Sequence, residues 1–133
     1  MGVEDVVRFI ESKCKRANFP QDQHKVILKL LENPARYGLP LPIHQYFECV
    51  ELRVENGRLL TEVDAILVSE HHISGIEVKK TYHKFSKTKA CWQLDKFNEF
   101  IVNQFGIHPL LYIAHGKPST DCLRVISYQP IKF

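Results

Sequence analysis

The chain has 133 residues, of which 44% are hydrophobic and 25% charged, with a formal net charge of +3. These values fit one globular domain over residues 1–133 with a single core. No apolar run reaches the roughly 18 residues of a membrane helix, which excludes a spanning segment, and the small net charge names no partner.

Residues 3–17 place Val3, Val6, Val7, Ile10, Cys14 and Ala17 on one stripe at helical spacing, and Asn18-Phe19-Pro20 ends that helix. Its acidic start, "MGVEDVVRFIESKCKR", lacks the basic residues and apolar stretch of a signal peptide. With four scattered cysteines that suit reduced thiols better than a disulfide framework, an intracellular protein is expected, cytoplasmic or in host cytoplasm if viral. A shorter helix starts near Asp22, taken as its N-cap, and stops at Asn33-Pro34. "NPARYGLPLP" is a loop.

Three strands follow. Residues 45–54 alternate, Asn56-Gly57 supplies a hairpin turn, and strands cover 59–68 and 73–80. Residues 88–105 predict a helix with Ala90, Leu94, Phe97, Ile101 and Phe105 inward and Gly106 as its stop. Short strands over 108–114 and 122–128 complete an ααβββαββ order, which implies one mixed sheet with helices packed on it.

The four cysteines, at 14, 49, 91 and 122, form no CxxC pair and read as reduced thiols. Their wide scatter also argues against an iron–sulfur cluster. The seven histidines show no HxxxH or HExxH spacing, so zinc has little support. From Lys79 to Lys89, "KKTYHKFSKTK" mixes cations with Tyr82 and Phe85 and holds no acid. Such runs are commonly solvated loops, but cations beside aromatics also suit phosphates and bases.

The informative stretch is "TEVDAILVSEHHISGIEVKK", residues 61–80. A two-residue Asn56-Gly57 turn makes opposed positions on the first two strands sum to 113, so that Glu51 faces Glu62, Cys49 faces Asp64 and Phe47 faces Ile66. A turn centred between Glu70 and His71 makes the next pair sum to 141. Asp64 then opposes Glu77 and Glu62 opposes Lys79, with Cβ atoms roughly 4.5–5.5 Å apart. Period-two alternation assigns Val50, Leu52, Val54, Val63, Ala65, Leu67, Ile76 and Val78 to one core face.

Asp64, Glu77 and Lys79 thus converge on the other face, where facing carboxylates repel unless a cation lies between them. Lys79 offsets part of that repulsion. A hard divalent ion would offset more, and oxygen-rich surroundings favour magnesium or manganese. An exposed ion-pair ladder would contribute little. Phe47, Cys49, Ile66, Val68 and Ile73 share this face and argue that it is covered, so the acids point to chemistry.

"TEVDAILV" followed by "SGIEVKK" resembles the signature of the PD-(D/E)xK nuclease superfamily, a strand aspartate and then acid–x–lysine on the next antiparallel strand. Asp64, Glu77 and Lys79 match it, while Val63 stands where a proline is often written. The run from "IEVKK" through a helix to "FGIHPLLYIAHGKP" is similar to archaeal-type Holliday junction resolvases, and the likeness spans roughly residues 45 to 116.

The resemblance implies a restriction-endonuclease-like α/β fold with an αβββαβ core, its central mixed sheet flanked by helices, plus an extra N-terminal helix. It implies a Mg²⁺- or Mn²⁺-dependent deoxyribonuclease. Asp64, Glu77 and the main-chain carbonyl of Val78 would bind the metal, and Lys79 would position the attacking water and stabilise phosphate charge. Lys80, Lys84, Lys87, Lys89 and Gln93 are candidate DNA contacts. Gln93-x-x-x-Phe97 partly matches the Gln-x-x-x-Tyr of RecB-like members, which makes a RecB-like exonuclease the second reading. A non-catalytic DNA-binding module is the third. Glu4, Glu11, Glu51 and Glu62 remain open as further ligands. A homodimer is expected, because a chain this small covers one backbone site while a duplex or junction offers two.

Overall fold

The computed structural model describes residues 2–16, 21–80, 84–118 and 122–130, without the side chains of 15–16 and 84–86. Helix α1 (Val3–Lys13) opens where the Asp5 carboxylate accepts the Gly2 N–H at 2.9 Å, and it ends at Cys14. It is shorter than the predicted 3–17. The chain turns extended at Cys14, and Lys15–Arg16 becomes a two-residue edge strand, β1, opposite Glu51 and Val50. The expected stop at Asn18-Phe19-Pro20 lies outside the described residues.

Helix α2 (Gln21–Glu32) places Asp22 in its first turn rather than at the cap, and a 3-10 turn follows over Pro34–Tyr37. Strands β2 (Ile43–Arg53), β3 (Leu59–Ser69) and β4 (Ile73–Lys79) form an antiparallel meander. The crossover helix α3 (Lys84–Phe105) leads to β5 (Leu110–His115), which pairs parallel to β4. Strand β6 (Arg124–Tyr128) adds antiparallel to β5, giving a six-stranded mixed sheet in order β1-β2-β3-β4-β5-β6. A parallel neighbour demands a long crossover, and α3 supplies it.

The predicted registers hold through the middle of the meander, but the expected pairs Cys49–Asp64, Asp64–Glu77 and Glu62–Lys79 are not among the paired residues. Val50 opposes Val63 and Phe47 opposes Ile66, both summing to 113; Ala65 opposes Ile76 and Ile66 opposes Gly75, both summing to 141. The first turn is wider than two residues: Val54 N–H donates to Arg58, Gly57 N–H donates to Val54, and the pairing slips so that Arg53 meets Leu59. The left-handed φ of 85° at Gly57 closes that turn at no steric cost.

Helices cover both sheet faces. One layer packs α1 (Val6, Ile10) and α3 (Ala90, Leu94, Phe97, Ile101, Phe105) against the sheet, as the spacing of α3 predicts. The other packs Val26, Ile27 and Leu30 of α2 against Ala65, Leu67, Ile76 and Val78. The single core face expected from alternation is therefore split. Val50, Leu52 and Val63 lie with α1 and α3, whereas Ala65, Leu67, Ile76 and Val78 lie with α2. Alternation breaks at Cys49 and Asp64, where Cys49 takes φ 53° and the sheet changes which residues it turns to which layer. No disulfide joins the four cysteines, all of them among the described residues. Among the described residues no helix is long and apolar enough to cross a membrane.

Candidate functional site

The site forms where β3 and β4 part. Their paired residues end at Ala65 and Ile76. One residue on, the Asp64 carboxylate accepts the Val78 N–H at 2.7 Å, so a side chain takes over the main-chain ladder. Asp64 is 7% exposed and braced by that bond. Val78 turns its side chain into the α2 layer, in keeping with its place between Glu77 and Lys79.

Glu77 is 0% exposed, and neither carboxylate oxygen has a hydrogen-bond partner among the described residues. Buried carboxyls are almost always satisfied, and the neighbour that bears on the Glu77 oxygens is the Asp64 carboxyl, with which a protonated Glu77 can share a hydrogen bond. Burial drives the Glu77 pKa well above the carboxylate range; the Asp64 charge adds to it and the Lys79 ammonium opposes it. That environment disfavours the charged carboxylate unless a cation lies beside it.

Lys79, at the end of β4, is half-buried and donates to Gln93 Oε1 at 3.4 Å. The Gln93 carbonyl in turn accepts from Thr61 Oγ1 at 3.4 Å, fixing α3 against β3 beside the acids. Two of the residues singled out from sequence, Lys79 and Gln93, are thus brought together. Beside Lys79 in the parallel pair stands His115, which the sequence reading did not include. Burial and then the charge of Arg124 hold its pKa below the ordinary value, favouring neutral imidazole.

The remaining candidates are less central. Lys80 is exposed and pairs with Asp22 of α2 at 3.1 Å. Lys87 and Lys89 are exposed on α3, whereas the side chain of Lys84, like Tyr82 and the Phe85 side chain, lies outside the described residues. Glu51 is engaged by Arg53 at 2.7 Å, and Glu62 accepts from Cys49 Sγ at 3.0 Å. Burial first, and then Glu62, pushes the Cys49 thiol up to about 12. Glu4 and Glu11 point to solvent on α1. A cleft of about 500 Å³ lies across β4 from the acids, between α2 and the ends of β4 and β5. Lys25, Lys80 and Lys117 line it with Asp22 and Val78. Lys25 and Lys117 are far from the motif in sequence, so only folding could reveal their proximity.

No protein-family model and no curated protein matches the chain. The site therefore has to be judged on its own chemistry. Among the described residues no group of three His, Cys, Asp or Glu side chains converges to hold a metal. What converges is two carboxylates, Asp64 and Glu77, with the Val78 main chain beside them. That set fits magnesium or manganese, which take oxygen ligands and keep several waters, better than zinc. Of this set, the Glu77 carboxylate is the most deeply buried, with Asp64 beside it.

Proposed function

We propose that this protein is a Mg²⁺- or Mn²⁺-dependent nuclease that hydrolyses phosphodiester bonds in DNA. It acts as a structure-selective or sequence-nonspecific endonuclease of the Holliday-junction-resolvase kind and works as a homodimer. The observation that carries this reading is Glu77: fully buried, against the Asp64 carboxyl and in reach of the Lys79 charge. A carboxyl placed so at a cost in stability has a chemical use.

Asp64, Glu77 and the Val78 carbonyl would hold the ion. When bound, magnesium or manganese neutralises phosphate charge and makes its bound water more acidic. Asp64 is held ready by the Val78 N–H, and Glu77 would hold the ion as the carboxylate, the form that burial otherwise disfavours. The Lys79 ammonium, steadied by Gln93, counters the charge that builds on the phosphate oxygens and orients the attacking water. The lysines at positions 80, 87 and 89 add sequence-independent attraction for the backbone. The Lys79–Gln93 contact also supports the second reading, a RecB-like exonuclease.

The test incubates plasmid, linear and branched DNA with magnesium or manganese, comparing wild type with Asp64→Asn. Metal-dependent cutting that the substitution abolishes is expected. Salt-sensitive DNA binding by folded wild type without cutting under either metal would overturn the enzyme and leave a binding module.

A further inference from the structure

Helix α3 carries a feature that the cleavage chemistry leaves unused. Trp92, the sole tryptophan of the chain, is 56% exposed on the side of α3 away from Leu94, Phe97 and Ile101. Lys96 Nζ lies 4.4 Å from the centre of its ring. At 100° per residue, Lys89, Trp92, Gln93 and Lys96 fall within an arc of about 100° and roughly 10 Å of helix length. Gln93 is the residue that receives the Lys79 ammonium. One stripe thus runs from the catalytic lysine to an exposed indole flanked by cations. The nearest acid, Asp95, accepts the Tyr128 hydroxyl at 2.7 Å on the β6 side of the helix, and Glu99 lies two turns beyond Trp92.

A lone surface aromatic needs no explanation. An indole between Lys89 and Lys96, one residue from the group that holds Lys79, is a different case. Ammonium groups one turn to either side suit phosphates, and the ring face suits a base, whatever its identity. A base inside a continuous duplex is already stacked and cannot use that ring.

We infer that Trp92 is a stacking platform for an unpaired nucleobase, so that the DNA bound at this site contains single-stranded or branched segments. The inference rests on the nuclease reading for its strand at Lys79 but is separable from it. Lys89 and Lys96 hold the flanking phosphates, and the indole takes the base that the duplex has released.

Because the chain has one tryptophan, its fluorescence reports on this residue alone. Titrations without divalent metal use an oligo-dT strand, a fork with one unpaired arm and a fully paired duplex. Quenching by strand and fork but not by duplex is expected. Labelled-DNA anisotropy should show Trp92→Ala weakening strand and fork binding about 10-fold, with Trp92→Phe in between and duplex binding unchanged. Absence of quenching by strand and fork, or equal weakening on all three DNAs, overturns the inference. So does loss of a dimer in Trp92→Ala without any quenching, which would make the indole a self-association contact. Asp64-dependent cleavage without quenching sinks this inference alone, whereas quenching without cleavage sinks only the enzyme.

Discussion

The Asp64 carboxylate accepts the Val78 N–H at 2.7 Å where the pairing of β3 and β4 gives out. The same group that would bind a cation is therefore part of the sheet. Asp64→Ala should lower stability by about 1–3 kcal/mol, since it strands a buried donor. Asp64→Asn keeps an acceptor and should cost less than 1 kcal/mol or so while abolishing cleavage. Urea unfolding of both variants, paired with the cleavage assay, checks this.

Glu77 makes the cation-free protein sensitive to pH. Its folded-state pKa lies above the ordinary 4.5, so between those two values the native state binds more protons than the unfolded chain. Stability should be full below the ordinary value and fall as pH rises through the raised one. Glu77→Gln should flatten that fall and be the more stable protein at alkaline pH. Magnesium should protect wild type increasingly as pH rises, because binding displaces a proton, and should leave Glu77→Gln unprotected. Thermal melts across pH with and without magnesium measure both effects.

Lys79 and Gln93 should behave as a unit. Lys79→Ala should slow cleavage by about 10²–10³-fold, as expected for loss of a charge aimed at the transition state. Gln93→Ala should slow it about 10-fold, and the double variant should be little worse than Lys79→Ala alone. Single-turnover rates at saturating DNA decide this; additive losses would mean that the two act separately.

Gly75 sits against α3 two residues before Glu77. A Cβ there would lie 2.6 Å from the ring of Phe97, itself 0% exposed and unable to give way cheaply. Gly75→Ala should destabilise the fold by about 1–3 kcal/mol. Adding Phe97→Leu should recover part of that loss, and denaturant midpoints of the three proteins test it.

The turn signals could not show the wider first turn or the slip at Arg53. They did place the central pairs of β2, β3 and β4, because antiparallel main-chain pairing keeps its register between irregularities. The inward stripe of α3 and the joint placement of Asp64, Glu77 and Lys79 near one another were legible for the same reason. The edge strand Lys15–Arg16 was not, since two residues carry no periodicity and owe their conformation to a pairing with β2.

What the tertiary structure alone decided is which environment each residue meets. Strict alternation could not anticipate the switch at Cys49 and Asp64, because helices on both faces bury both sets of side chains there. Nor could it show that Glu77 is fully buried, that Gln93 rather than another polar group receives Lys79, or that Trp92 stays in solvent. Burial and solvation depend on neighbours tens of residues away, whereas register depends on the next turn. The chain's own order determined where the acids stand along their strands, and the packing of α2 and α3 against opposite faces determined what they experience.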